Sequence, residues 1–452
     1  MDHEADGRRA VEHRDDHGAD RRGNRRPTGR HRRGASGGRR AAGHDDQVGA
    51  QVTDNEQGGG QGADEQAGGG RTDELIVRWS EDDAERSARW RSENRTPPPR
   101  RVVVADDRMR ADEAYRLACE GTALLWRGDF QNARQLLSAM SRRADHTPRR
   151  KRRAHGKADV PPPAQRFHLH RQAQGQRARV LGMLLIPVDA GHVVPLRRAP
   201  DVRDACQEVY GPAEEPYVVS LRELQGLIGA HEWRAKGVPV PALGGERIHP
   251  HYGVFSPIRG EYVDLVARAP LPSTELAYDI GTGTGVLAAV LARRGVARVV
   301  ATDADPRALA CAQENLDRLN LSDRIEVVQA DLFPPGRAPL VVCNPPWLPA
   351  RPTSPLEHAV YDPDSAMLRG FLTGLPAHLT PDGEGWLILS DLAEHLELRT
   401  RTELLDAFAE AGLTVVGRLD ARPAHPRATA PDDPLHTARA AETTYLWRLS
   451  LA

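Results

Sequence analysis

From Leu276 onward, short apolar runs alternate with amphipathic ones, and this alternation constrains the fold more than any other feature of the chain. Leu276–Ile280, Arg298–Thr302, Ile325–Gln329, Leu340–Cys343 and Trp386–Ser390 have the length and apolar content of buried strands. Between them, four segments read as helices: Val286–Arg294 (stopped by Gly295), Pro306–Leu319, Ser365–Leu379 and Arg401–Ala411. The second of these has Asp305 as its cap and Pro306 at its first helical position. Such alternation predicts a parallel sheet covered on both faces, a doubly wound Rossmann-like α/β domain over 246–452. Leu413–Leu419 and Tyr445–Leu449, joined by a long Pro-rich loop, are expected as an antiparallel edge.

Upstream the pattern differs. Residues 1–101 are rich in Arg, Asp, Gly, His and Gln, with almost no large apolar side chains before Leu75-Ile76-Val77 and Trp79. Such a stretch buries too little apolar surface to offset its ordering entropy, so it is expected to be disordered. Residues 102–245 read as a mostly helical accessory domain. A helical hairpin is expected over Asp112–Arg143, broken at Gly128-Asp129, followed by helices over Phe167–Val180, Asp201–Tyr210 and Ser220–Trp233. Ser220 and Glu223 have the spacing of a capping box. The basic run 149–153 reads as a solvated linker.

Composition excludes several classes. A formal net charge of -1 provides no global field toward nucleic acid or membrane. Cys119, Cys206, Cys311 and Cys343 have neither disulfide nor zinc spacing, which fits a reducing, cytoplasmic setting and predicts no metal site. No apolar run reaches membrane-spanning length.

The chemistry concentrates around Asp279-Ile280-Gly281-Thr282-Gly283-Thr284-Gly285, between the first strand and its helix. Gly281, Gly283 and Gly285 let the backbone turn sharply and approach a ligand at the carboxyl ends of the strands. A dinucleotide loop would need a third glycine where Val286 stands. An acid, Asp279, also precedes the first glycine; it would repel a pyrophosphate and attract a cationic methionine moiety. Asp303 ends the second strand, where an acid binds ribose hydroxyls. Asp331 follows the third, placed to accept from an adenine amino group. Three acids at successive strand ends argue against simple capping.

Asn344-Pro345-Pro346-Trp347 follows the fourth strand. Methyl transfer to a planar amide or amino nitrogen requires its delocalised lone pair to be drawn out. Two acceptors on its N–H groups would do this, and the Asn344 side-chain oxygen and the Pro345 carbonyl are candidates. Proline holds the preceding residue extended and so fixes Asn344. Trp347 offers a flat face for a planar target.

These segments, with Ala301-Thr302-Asp303 and Ala330-Asp331-Leu332-Phe333, resemble class I S-adenosylmethionine-dependent methyltransferases. They are most similar to the family that methylates glutamine in polypeptide release factors, over roughly residues 250–390. Val254-Phe255-Ser256-Pro257 with Glu261, and Glu357 with Tyr361-Asp362-Pro363 and Ala366, extend the similarity. The resemblance implies a seven-stranded sheet, S-adenosyl-L-methionine as cofactor and a protein glutamine as methyl acceptor. Adenine N6 in nucleic acid and a small-molecule amine are the alternative acceptors. A binding protein that keeps the fold without catalysis is the alternative of another class. The oligomeric state stays open.

Overall fold

In the computed structural model, residues 75–145, 161–352, 355–423 and 433–452 are described. The expectation of disorder over 1–74 and the basic run 149–153 lie outside them.

The part preceding the methyltransferase-like domain folds around three central strands buried on both faces. Its elements are β1 (Ile76–Glu81), β2 (Ala84–Trp90), β3 (Arg101–Ala105), α1 (Ala111–Cys119), β4 (Thr122–Trp126), α2 (Phe130–Asp145), α3 (Pro163–Leu181), β5 (Leu184–Val188), α4 (Arg203–Tyr210), β6 (Tyr217–Ser220) and α5 (Leu221–Lys236). The strands form a six-stranded sheet in the order β1-β2-β6-β5-β4-β3. Every residue of β4, β5 and β6 is buried, as expected of central strands covered on both sides. Leu124, Trp126, Leu184 and Ile186 pack with Phe130, Leu137 and Leu224 of the helices. On the opposite face Ala123, Leu125 and Leu185 meet Val77, Trp79 and Trp90 from the β1–β2 hairpin.

Two expectations are corrected here. Residues 76–101 are not disordered: β1 and β2 pair from Ile76↔Arg89 to Glu81↔Ala84, and Val77, Trp79 and Trp90 provide enough buried surface to hold them. The expected helical hairpin over Asp112–Arg143 contains β4 between its helices, because Ala123-Leu124-Leu125-Trp126 is apolar on both sides rather than on one helical stripe. Helices α1 to α5 still make up just over half of the described residues of 102–245. Ser220 does cap α5, accepting from the Glu223 N–H at 3.1 Å. The reciprocal arm of the box is absent; the Glu223 carboxylate instead accepts from Ser92, Tyr210 and the Glu93 N–H.

A short ribbon of β7 (Val238–Pro239) and β8 (Arg247–Ile248) leads into α6 (Glu261–Arg268). The second sheet then follows: β9 (Leu276–Ile280), α7 (Val286–Arg293), β10 (Arg298–Asp303), α8 (Pro306–Arg318), β11 (Ile325–Gln329), β12 (Ala338–Cys343), α9 (Ala366–His378), β13 (Leu379–Ser390), α10 (Leu392–His395), α11 (Arg401–Glu410), β14 (Leu413–Ala421), α12 (His436–Ala441) and β15 (Thr444–Leu451). Its order is β11-β10-β9-β12-β13-β15-β14, seven strands in a doubly wound arrangement. α6, α7 and α8 cover one face, with Leu265, Leu291 and Leu316 against Val299 and Trp386. α9 and α11 cover the other, through Phe371, Leu375 and Phe408. β15 pairs antiparallel with both β13 and β14, so the expected antiparallel edge exists with β14 outermost. No helix among the described residues is long and apolar enough to cross a membrane.

Candidate functional site

Strand order reverses between β9 and β12, and doubly wound sheets bind their ligands at such a switch point, at the carboxyl ends of the strands. Asp279 and Ile280 of β9 lie level with Ala301 and Thr302 of β10 and with Val342 and Cys343 of β12. The loops leaving β9, β10, β11 and β12 therefore emerge side by side. Asp303 is the last residue of β10, Asp331 follows β11, and Asn344 follows β12. The sequence-predicted site residues thus share one edge of one sheet.

Hydrogen bonds stitch these loops together. The Thr282 N–H donates to the Thr302 carbonyl at 2.8 Å, and the Thr302 hydroxyl donates to the Leu332 carbonyl at 2.6 Å. Asn315, fully buried on α8, donates to the Thr284 carbonyl at 3.1 Å and accepts from the His249 N–H at 2.7 Å. His249 and His251 are likewise engaged, with the Arg234 carbonyl at 2.6 Å and Glu314 at 2.8 Å. His358 is exposed.

Asp279 lies beneath the glycine loop. Its side chain is 1% exposed, and Oδ2 accepts from the Thr282 hydroxyl at 2.7 Å and the Ala288 N–H at 3.0 Å. The carboxylate braces the glycine loop from beneath, because a short acid at this position finds a hydroxyl and a helix N–H within reach. Burial pushes its pKa up to about 6, against the opposing effect of these two bonds. Asp303 is half-buried; Oδ2 accepts from the Gly283 N–H and Oδ1 from the Asp305 N–H, both at 3.0 Å. Burial raises its pKa as well. Asp331 is exposed.

The glycines differ in what they face. A Cβ at Gly281 would meet Met367 Cε at 2.7 Å, and one at Gly285 would meet the Ala312 backbone at 3.3 Å. At Gly283, with φ +57°, no atom lies within 4 Å of that position. The loop is therefore open to a ligand at Gly283, beside Asp303, and packed at its two flanks. An open backbone step beside Asp303, with Asp331 exposed at the next strand end, suits a ligand that carries hydroxyl and amino donors. Among the described residues no group of three or more His, Cys, Asp or Glu side chains gathers to hold a metal.

The Asn344–Trp347 segment folds back on itself. The indole N–H of Trp347 donates to Asn344 Oδ1 at 2.9 Å. Since an indole nitrogen is a donor only, the bonded end of the amide is its oxygen, and one lone pair of that oxygen is left for another donor. The Pro345 carbonyl accepts no hydrogen bond among the described residues. Trp347 does not stand free as a flat platform: it packs partly buried against the cores on both sides of the sheet, and the Arg259 guanidinium lies over its ring, 5.1 Å from the centroid. The chain then returns through Leu348, paired with Tyr361, to Asp362. That residue caps α9 by accepting from the Met367 and Leu368 N–H groups at 3.0 and 3.1 Å.

α3 of the first module reaches this returning loop. Phe167 is buried with Leu348, and Arg171 pairs with Glu357 at 3.1 Å, donates to the Arg351 carbonyl at 2.5 Å and lies 3.8 Å from the Tyr361 ring centroid. Arg171, Arg259 and Asn315 went unnoticed in the sequence. Each acts on a residue far along the chain, and no local pattern announces it.

A family model described as "Methyltransferase small domain" matches residues 247–412. The chain is 32% identical over 210 residues to the release factor glutamine methyltransferase of Cereibacter sphaeroides, covering 42% of this chain and 73% of that one. It is 31% identical over 209 residues to the protein of the same name from Chlorobaculum tepidum, covering 39% and 65%. With the tRNA1(Val) (adenine(37)-N6)-methyltransferase of Shewanella loihica it shares 33% identity over 144 residues, 29% of this chain and 59% of that one. The matches thus span less than two thirds of the second and third relatives. With its glycine loop, strand-end acids and Asn-Pro-Pro-Trp segment on one sheet edge, the chain is a member of the class I S-adenosylmethionine-dependent methyltransferases, close to the release factor glutamine methyltransferases.

Proposed function

We propose that the chain transfers a methyl group to the side-chain amide nitrogen of a glutamine in a protein. The observation that carries this reading is the pair of acceptors after β12: the remaining lone pair of Asn344 Oδ1 and the Pro345 carbonyl, which accepts no hydrogen bond among the described residues, one strand away from the glycine loop. A primary amide has two N–H groups, and two acceptors held by a rigid Asn-Pro step would take both. Accepting both draws the nitrogen lone pair out of conjugation and turns it toward an electrophile, so the rate comes from orientation and transition-state stabilisation; the new N–CH3 bond would replace the S–CH3 bond of the donor, and the proton given up by the nitrogen would pass to water.

S-adenosylmethionine, when bound, supplies a methyl group activated by a positively charged sulfur. Gly281, Gly283 and Gly285 shape the loop that receives it, with Gly283 as the open step. Asp303 takes the ribose hydroxyls and Asp331 the adenine amino group. Asp279 acts through the loop that it braces, contributing negative charge from below rather than direct contact. Trp347 forms a wall of the target pocket.

A second reading, adenine N6, is favoured by the similarity to relatives named as tRNA adenine N6-methyltransferases. An adenine amino group also has two N–H groups, and the base would have to be unstacked to enter. The experiment is methyl transfer from tritium-labelled S-adenosylmethionine, with a release-factor protein and an unmodified tRNA transcript as parallel acceptors. Label on the protein, lost in Asn344→Ala, is the expected result. Label on the tRNA alone transfers the assignment to the second reading. Label on neither acceptor refutes both.

A further inference from the structure

Arg259 has no role in the reading above, yet it occupies a place where one is built. It stands just before α6, half-buried, between two buried carboxylates: Nε donates to Glu261 at 2.8 Å and Nη2 to Glu442 at 3.0 Å. Glu442 is fixed in turn by the Ser390 hydroxyl, which donates to it at 2.7 Å from the end of β13 and accepts from the Leu392 N–H at 3.0 Å. Two carboxylates so far from water need a cation, and a planar guanidinium answers both with separate N–H groups. Beyond this pairing, the guanidinium carbon lies over the indole of Trp347, 5.1 Å from the ring centroid. A cation on an aromatic face is attracted by the ring quadrupole and orients the ring. The ring's N–H is the group that donates to Asn344 Oδ1.

We propose that Arg259 is a positioning residue for the methyl acceptor. It holds Trp347 by its face, so that the indole N–H keeps the Asn344 side chain in one orientation with its oxygen end defined. The line runs Ser390–Glu442–Arg259–Trp347–Asn344, from the end of β13 to the end of β12. It gives a chemical reason for tryptophan at the fourth position: a donor-only ring N–H, unlike a hydroxyl, cannot reverse the amide. The proposal rests on Asn344 holding the target nitrogen.

The test reads the indole directly in the full chain labelled with nitrogen-15 at its seven tryptophans. The side-chain N–H signal lost in Trp347→Phe identifies Trp347. Arg259→Lys keeps a charge for the two carboxylates but removes the planar face. A triple variant, Arg259→Met with Glu261→Gln and Glu442→Gln, leaves no buried charge unpaired and guards against simple unfolding. In both variants the Trp347 signal is expected to move toward that of an unbonded indole and to exchange with water about tenfold faster. The affinity for S-adenosylhomocysteine is expected to stay within about threefold of the parent. With a release-factor acceptor, Arg259→Lys is expected to lower kcat while leaving KM for the cofactor unchanged. An unmoved signal in both variants overturns the proposal, since packing alone would then hold the ring. So does a moved signal accompanied by loss of cofactor binding, since Arg259 would then support the site as a whole. Full transfer by Asn344→Ala would refute the underlying reading while leaving the link between Arg259 and Trp347 standing.

Discussion

Asp279→Asn is expected to stabilise the protein at neutral pH and to leave it unchanged in acid. The Asp279 carboxyl is buried beneath the glycine loop, which raises its pKa from an ordinary 3.8 to about 6. Between these values the folded chain holds a proton that the unfolded chain has released, so stability falls as pH rises. The contribution of that proton is present in full below 3.8 and is lost as pH passes through about 6. At about 1.4 kcal/mol per pKa unit, two units correspond to about 3 kcal/mol by pH 7. Asparagine keeps an oxygen to accept from Thr282 and Ala288 but never needs to ionise. Urea denaturation of parent and variant, run side by side from pH 4 to pH 8, gives the difference directly, because the other titrating groups cancel. The variant should gain on the parent steadily up to about pH 6 and then hold its advantage. A difference that is flat across this range, or a variant that loses ground as pH rises, would show that the Asp279 carboxylate is not held at a cost in the folded chain.

Other substitutions test other parts of the molecule. Gly285→Ala forces a side chain onto a residue with φ +80° and against the Ala312 backbone, and a thermal melt should show a loss of about 1–3 kcal/mol. Phe371→Ala removes a fully buried ring stacked on Phe333 and is expected to cost about 3–5 kcal/mol in chemical denaturation. Asp303→Ala should weaken S-adenosylmethionine binding at least about tenfold by calorimetry, because no other acid ends β10. Arg171→Ala removes the contacts to Arg351, Glu357 and Tyr361, and limited proteolysis should cut within residues 348–361 faster than in the parent.

The second sheet was legible because its signals are local. Each strand from β9 to β13 carries its own apolar run, each crossover helix its own stripe, and Asp303, Asp331 and Asn344 sit at strand ends that the pattern itself marks. Asp279 was found for the same reason, but its direction was not. Whether a carboxylate faces a ligand or braces its own loop depends on the Thr282 hydroxyl and the Ala288 N–H, which only the folded turn brings to it. The first sheet was half hidden. β2, Ala-Glu-Arg-Ser-Ala-Arg-Trp, buries only Trp90, and a strand exposed over most of its length has the composition of a disordered one. In β4 the apolar run itself misled, since Leu124 and Leu125 fit a helical spacing as well as a strand. Arg259 lies far from both Trp347 and Glu442 in the chain, and their meeting is a property of the sheet order alone.

That sheet order also bears on how the chain acquires its structure during synthesis. β14 is made before β15, yet among the described residues its one partner in the sheet is β15, which slots between it and β13. Until β15 has emerged from the ribosome, β13 shows an open edge and β14 has nothing to pair with. The cofactor-facing half, from β11 to β13, can assemble as it is translated, while the other rim waits for the last strand to arrive. A nascent chain stalled within the connection between β14 and β15 would therefore carry a formed glycine loop beside an unsealed sheet, a species suited to capture by chaperones that recognise exposed strand edges.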